Sequence, residues 1–160
     1  MDHKAKRLLA IVRIALGWTF LWAFVDKLFG LGLGTAAENA WLAGGSPTAG
    51  FLKFGTAGPL AGVYAGIAGH PLVDGLFMFG LLALGVALIL GLGMRLASHA
   101  GALLMLLMWS AHLPPTTNPL VDSHIIYALV LLVLGVTQAG HTWGLGRWWE
   151  QQVQRLPILK

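Results

Sequence analysis

This 160-residue sequence has no cysteine and few charged side chains. The absence of cysteine excludes disulfide bonds, thiolate catalysis and iron–sulfur ligation by the chain itself. Only 10% of the residues are charged, against about a quarter in an average soluble domain, whereas 57% are hydrophobic. Mean hydropathy is +0.76. We therefore expect a membrane protein with no residues left over for a soluble domain.

Four apolar stretches are long enough to cross a bilayer, which takes about 20 residues. They predict an all-α integral membrane protein, a single four-transmembrane-helix bundle over residues 1–160. The predicted spans are 8–29, 75–93, 96–113 and 120–138, with a long outer segment at 30–74. Because the first stretch is longer than the core of a signal peptide and ends without a small-residue cleavage site, we interpret it as a retained helix.

The net charge of +4 indicates an orientation rather than a nucleic-acid partner. Basic residues that flank spans keep to the cytoplasmic side, and here only Lys27 and Lys53 fall on the opposite side. Both termini are therefore expected in the cytoplasm, in a multi-pass protein of a prokaryotic plasma membrane. For Arg13, extension to the inner headgroups and pairing within the bundle both stay open. The basic residues assigned to the cytoplasmic side are Lys4, Lys6, Arg7, Arg13, Arg95, Arg147, Arg155 and Lys160.

The outer segment 30–74 predicts two short interfacial helices. The pattern Thr35-Ala36-Ala37-Glu38 is typical of a capping box, and Gly44 with Gly45 would end that helix. Gly58, Gly62 and Gly66 recur every fourth residue, which predicts a second helix lying close against the bundle. A flexible glycine-rich loop is the alternative.

The ends of the fourth span also carry recognisable signals. Asn118 suits the N-cap and Pro119 the first helical position, where its missing N–H has no partner to lose. The cytoplasmic tail 140–160 combines tryptophans with basic residues and predicts an amphipathic segment on the inner headgroup layer.

Ionisable side chains gather at the predicted outer ends of the spans. Asp26 and Lys27 end the first span, His70 and Asp74 precede the second, His112 ends the third, and Asp122 and His124 begin the fourth. Groups of this kind near hydrocarbon cost a few kcal/mol, so they are candidates for a functional site. The alternative is structural, because span ends are where charged residues cost least.

Helical spacing places aromatic residues beside two of these groups. Trp18, Trp22 and Asp26 lie four residues apart on one face, and Trp109 with His112 belongs to a stripe that also contains methionines. Ordinary packing or an aromatic belt would give the same spacing.

The helix period also separates Asp122 from His124. Residues two apart on a helix point about 200° from each other, so both cannot face one pocket along the helix body. We expect His124 and Tyr127 to face the pocket, and Asp122 to stabilise the helix start and to orient a neighbour. Lys27 either extends to the headgroups or attracts an anion together with Lys53.

Several segments of the chain resemble the DoxX/DoxD family of small four-helix membrane proteins. The most specific are "GGSPT" at 44–48 and "NPLVDSHIIY" at 118–127; "LGWTFLWAFVDKLFG", "LILGLGMRLASHAGALLMLLMW" and "GLGRWWE" add to the likeness. The resemblance, closest to the DoxD branch, implies the membrane subunit of a thiosulfate:quinone oxidoreductase, with a separate partner subunit or a homo-oligomer as the assembly. The broader family is functionally heterogeneous.

Quinone reduction needs electrons that this chain cannot relay through thiols or clusters. They must come from the substrate, a bound cofactor or a partner, while the chain supplies binding and protons. We expect quinone to be the substrate and assign the chain no metal. The predicted catalytic residues are His112, His124 and Asp26, with His112 or His124 as proton donor. The predicted binding residues are Lys27 and Lys53 for thiosulfate, Trp22 and Trp109 for the quinone ring, and Tyr127 and Asp122.

Three alternatives remain on the sequence alone. The first is a non-catalytic scaffold that anchors a partner oxidoreductase at the membrane. The second, which we disfavour because the residues lie so near the membrane surface, is a b-type haem held between His112 and His124. The third is a transporter, against which the lack of a central charged pathway argues.

Overall fold

The computed structural model describes residues 1–115, 118 and 120–156, and within these ranges every regular element is helical. The expectation of an all-α chain is thus confirmed, with no strand in the described part. Three 3-10 turns cover Ala37–Asn39, Trp41–Ala43 and Ala139–His141, and a π-helical turn covers Phe51–Gly55. The α-helices are α1 (His3–Phe29), α2 (Ala61–Ile67), α3 (Pro71–Leu90), α4 (Met94–Ser110), α5 (Ser123–Val136) and α6 (Gly146–Gln152).

The four longest helices pack as two antiparallel pairs, α1 with α3 and α4 with α5. Glycines bring each pair together: a Cβ built on Gly85 would lie 2.7 Å from the backbone nitrogen of Leu21, and one on Gly101 would lie 3.0 Å from the side chain of Leu131. A larger residue at Gly85 would need a shift of the backbone, and one at Gly101 would need the Leu131 side chain to move. The core between the pairs is built from Leu16, Phe20, Leu81, Leu84, Leu88, Met105, Leu131 and Leu134.

This arrangement gives the bundle two distinct ends. At the terminal end, α1 and α4 begin and α3 and α5 finish, close to α6. At the long-loop end, α1 and α4 finish and α3 and α5 begin, and residues 30–70 cover them.

Arg13 answers the question that the sequence left open, because it pairs within the bundle. Its side chain is fully buried, and the guanidinium donates to the carbonyls of Leu88 and Ile89 at the end of α3. It also donates to the carbonyls of Thr142 and Trp143, at 3.2 and 2.9 Å. The last carbonyls of a helix lack partners within it, so Arg13 caps α3 and holds the chain after α5 against it.

The helix bounds differ from the predicted spans by a few residues, and the last helix is shorter than its predicted span. By length and composition α1 and α3 could cross a membrane; α5 is as apolar but has 14 residues. The prediction that Asn118 caps this helix is wrong. Asn118 instead accepts hydrogen bonds from the N–H groups of Leu120 and Val121 in a turn before it, and Pro119 lies outside the described residues.

The predicted outer helices are also corrected. Thr35 does not cap a helix: the two 3-10 turns begin only at Ala37 and Trp41, without side-chain caps, although Gly44 ends the second in the left-handed conformation. A helix does form over 61–67, but Cβ atoms on Gly62 and Gly66 would meet open space, so these glycines make no close contact. Forming the first turn of a helix is unfavourable, and a short glycine- and alanine-rich segment has too few further residues to offset it.

The C-terminal helix is shorter than the tail predicted at 140–160. It covers Gly146–Gln152, with Trp148 exposed, and residues 157–160 lie outside the described part.

Candidate functional site

Two imidazole rings from different helices meet at the long-loop end. His112 follows the last turn of α4 and His124 lies in the first turn of α5; their rings stack with centroids 5.9 Å apart and planes inclined by 18°. We call these two residues the imidazole pair. Nδ1 of His112 lies 3.2 Å from the carbonyl oxygen of Met108, and the ring packs on Phe51 at 4.9 Å. The pair therefore joins α4, α5 and the π-helical turn.

Asp122 stabilises the start of α5 and orients His124, as predicted, whereas the prediction that the two side chains point apart is wrong. Asp122 is not inside the helix but is the N-cap of α5, with extended backbone angles, so the 200° rule does not apply to it. One carboxylate oxygen accepts from the N–H groups of His124 and Ile125, and the other lies 2.7 Å from Nδ1 of His124. Burial raises the pKa of Asp122, but the hydrogen bonds from His124 and Ile125 together lower it more, so it ends below its ordinary value.

Beside the imidazole pair lies an apolar cavity of about 360 Å³ between α3 and α4. The outer segment covers it with Phe51 and Tyr64, while Phe77 and Leu104 form its walls. The hydroxyl of Tyr64 donates to the carbonyl of Leu107 at 3.1 Å and lies 2.6 Å from the hydroxyl of Ser110, which fastens α2 to α4. A predominantly apolar recess with a few polar groups at its edge is typical of a site for a flat organic ligand.

A second recess at the same end is more polar than the apolar cavity. This lysine cleft, of about 740 Å³, lies between the end of α1, the first 3-10 turn and the π-helical turn, and both Lys27 and Lys53 line it. Lys27, Pro47 and Phe51 also line the apolar cavity, so the two recesses share one wall. The arrangement can place an anion and an apolar ring on either side of these three residues.

The other residues predicted for the site lie elsewhere. Asp26 is buried and accepts a hydrogen bond from the N–H of Leu33 at 3.4 Å, within the turn that follows α1. Trp22 packs against Trp18, and the indole of Trp109 donates to the carbonyl of Leu120. Tyr127 is 40% exposed. None of Asp26, Trp22, Trp109 and Tyr127 lines the apolar cavity or the lysine cleft.

Asp74 was predicted among the ionisable residues at the span ends but was given no role of its own, and the structure shows it buried and shaping the shared wall. Asp74 in the first turn of α3 accepts from the hydroxyls of Ser46 and Thr48 and from the N–H of Thr48. These hydroxyls flank Pro47, so the network fixes the segment that borders both recesses. The signal in the sequence was two hydroxyl residues around a proline and an aspartate at a helix start, but nothing in it pairs them.

The described residues contain no group of three or more His, Asp or Glu side chains placed to hold a metal ion. Comparison with models of known protein families, with curated proteins and with solved structures found no match for this chain.

Proposed function

We propose that the chain is a membrane-embedded oxidoreductase subunit that reduces quinone at its long-loop end with electrons from a thiosulfate-like anion. The observation that carries the proposal is the wall shared by the apolar cavity and the lysine cleft. A quinone ring fits the first recess and a small dianion the second, so donor and acceptor would meet across Lys27 and Phe51. The resemblance to the DoxX/DoxD family agrees with this, because its two most specific segments supply Ser46, Thr48, Asp122 and His124.

The outward surface of the helices supports a lipid environment. In the most apolar 18-residue stretches of α1 and α3, only 28% and 33% of the residues are buried. Trp18, Leu76, Phe79, Leu103 and Val136 are all more than half exposed, and a soluble monomer rarely leaves so much apolar surface in water. We infer four spans formed by α1, α3, α4 and α5. At 14 residues α5 reaches about 21 Å, so the bilayer would thin around it.

The charge distribution supports the orientation. Lys4, Lys6, Arg7, Arg95 and Arg147 lie towards the terminal end, against Lys27 and Lys53 at the long-loop end. By the positive-inside rule the terminal end faces the cytoplasm of the prokaryotic cell, and the lysine cleft opens to the outer side.

The reaction balances without a thiol or a cluster in the protein. Two thiosulfate ions each give up one electron and join through a new S–S bond to form tetrathionate, and quinone takes up the two electrons with two protons to become quinol. Lys27 lines both recesses, so its ammonium group can neutralise the donor and donate a hydrogen bond to a quinone oxygen. His112 of the imidazole pair contacts Phe51 and Met108 of the cavity wall, but the pair lines neither recess, so it would act as a proton source next to the wall and not as a direct donor to the quinone.

The test is quinone reduction in membranes of the source organism, where any partner subunit is present. We expect thiosulfate to reduce a short-chain ubiquinone analogue, with one tetrathionate formed per quinol. In Lys53→Gln the KM for thiosulfate should rise about tenfold, the loss of one charged hydrogen bond, while the KM for quinone stays unchanged. Lys27→Gln should raise both KM values.

The matched control is Arg7→Gln, which removes an exposed positive charge at the opposite end of the bundle and should change neither KM. Wild-type membranes that form no quinol from thiosulfate would overturn the proposal. If Lys53→Gln and Arg7→Gln change the KM for thiosulfate equally, the lysine cleft is not the thiosulfate site.

A further inference from the structure

The apolar cavity at the long-loop end is covered on its outer side and open between two helices. On the outer side α2 covers it, held to α4 by the hydrogen bond from the Tyr64 hydroxyl to the carbonyl of Leu107. Between α3 and α4, the lining residues Leu76 and Leu107 are 63% and 49% exposed, so they form an open mouth. In the membrane placement given under the proposed function, this mouth faces the lipid.

Small residues continue from the mouth along α3. Gly80 and Ala83 follow Leu76 at helical spacing, so all three lie on one face of the helix. Both small residues are half-buried, and a Cβ built on Gly80 would meet open space. The surface of α3 next to the mouth is therefore recessed.

The facing surface of α4 has the same pattern. Leu104 lines the cavity, and Ala100 lies one turn further from the long-loop end on the same face and is exposed. The helices α3 and α4 run antiparallel from the turn at 91–93, so Ala83 and Ala100, at nearly equal distances from that turn, lie at about the same depth. Together the two faces form a groove between α3 and α4, which we call the tail groove.

The tail groove has a closed floor and a defined length. Its floor is the contact between the two helices, where a Cβ on Gly101 would lie 3.2 Å from the side chain of Leu84. From Leu76 to Ala83 the helical rise is about 10 Å, which is about the length of two isoprene units. A ring in the cavity with a short stretch of hydrocarbon attached would fill both spaces.

We propose that the tail groove holds the first part of the isoprenoid tail of the quinone, whose ring lies in the apolar cavity, and that quinone enters from the lipid between α3 and α4. This rests on the quinone site of the proposed function, but not on its electron donor. Leu76 and Leu107 belong to both the mouth and the cavity, so a tail attached to the ring leaves along the groove. Binding within a bilayer depends on close packing, which a recess between small residues gives to a branched chain.

The experiment measures quinone binding to the purified full-length chain in lipid nanodiscs, without thiosulfate. Quenching of tryptophan fluorescence reports binding, since Trp109 is next to Met108 of the cavity wall. The probes are a dimethoxy-methyl-benzoquinone ring without a tail and the same ring with one, two and four isoprene units, compared at equal concentration in the lipid. We expect binding to tighten about fivefold from no tail to two units and to change little from two units to four, because the groove is then full.

Variants assign the effect of the tail to the groove. Gly80→Leu fills it and should abolish the gain in affinity that the tail gives. Ala100→Leu fills it from the opposite helix, and it carries the test if Gly80→Leu does not fold by circular dichroism. Gly75→Leu is the matched control, because its Cβ also meets open space on α3 but points to another face of the helix, and it should keep the full gain.

Equal binding of quinones with and without a tail would overturn the proposal and leave the groove to lipid acyl chains. A full gain from the tail in folded Gly80→Leu and Ala100→Leu would overturn it as well. The redox chemistry is tested separately: if tail length governs binding but thiosulfate reduces no quinone, the electron donor is wrong and the tail groove stands. If thiosulfate reduces quinones of every tail length with the same KM and binding is equally indifferent to the tail, the groove fails and the redox proposal stands.

Discussion

Replacing Arg13 by methionine tests how the bundle is closed at its terminal end. The guanidinium is fully buried and donates to four carbonyl groups, two from the last turn of α3 and two from Thr142 and Trp143. Methionine fills much of the same volume but leaves these four carbonyls without a donor. Removing one partner from a buried charged network costs about 3–5 kcal/mol, even though removing the charge itself saves its desolvation.

For a chain of this size about 2–4 °C of melting temperature corresponds to 1 kcal/mol, so we expect Arg13→Met to melt about 10 °C below the wild type. The measurement is thermal unfolding in detergent, followed by circular dichroism. Trypsin supplies a second readout, because release of residues 142 and 143 should speed cleavage in the tail while α1 to α5 stay protected. Arg13→Lys keeps the charge without the planar fork and should fall between the two.

Arg7→Met is the matched control, since Arg7 is exposed and lies on the same helix two turns earlier. If Arg13→Met has the melting temperature of the wild type and its tail is cleaved by trypsin at the same rate, the four hydrogen bonds make no net contribution to stability. The reasoning that this buried arginine joins α3 to the tail would then be refuted.

Two further predictions concern the start of α5 and the close contact between α1 and α3 at Gly85. Asp122→Ala removes the N-cap of α5 and should lower the free energy of unfolding by about 1 kcal/mol, with Asp122→Asn closer to the wild type; urea titration measures both. Because the folded pKa of Asp122 is depressed, this contribution is fully present above its unfolded pKa and should disappear as the pH falls through the folded value. Gly85→Ala places a Cβ 2.7 Å from the backbone of Leu21 and should cost about 1–3 kcal/mol by forcing α1 and α3 apart. Gly80→Ala, in the same helix but facing open space, should be neutral or slightly stabilising, and equal melting of the two variants would contradict the close approach.

Hydropathy and helix signals in the sequence were enough to locate the long helices but not to place their ends. The apolar runs placed α1, α3, α4 and α5 to within a few residues, because long uninterrupted stretches leave no competing structure. The start of α5 was different, since Asn118 and Asp122 are both good caps and lie four residues apart. Asp122 caps the helix in the structure, where it also holds His124. His124 also stacks on the ring of His112, which follows α4, and no local pattern records that contact.

The same limit applies to the buried polar groups. Arg13 receives its partners from residues 75 to 130 positions away, and Asp74 pairs with hydroxyls 26 and 28 positions before it. The charge of such residues is visible in the sequence, and so is the cost of leaving them unpaired. Their partners, however, depend on how the helices are arranged. The sequence could therefore list Lys27, Lys53 and the imidazole pair as candidates, but it could not show that Pro47 and Phe51 form a wall between two recesses.

The close helix contacts at Gly85 and Gly101, which we call the glycine seams, lie in different parts of the bundle from the cavities, and one physical reason explains this. Where Gly85 meets the backbone of α1 and Gly101 meets the side chain of Leu131 on α5, the contacts are so close that no space remains for a ligand. The apolar cavity, by contrast, lies at the long-loop end between α3 and α4, where side chains of the outer segment fill the gap instead of a helix backbone. Substitutions in the seams should therefore change stability first, and substitutions that line the recesses should change binding first. A variant of Lys53 that lost stability but not anion affinity would break this division, because Lys53 is exposed and touches no seam.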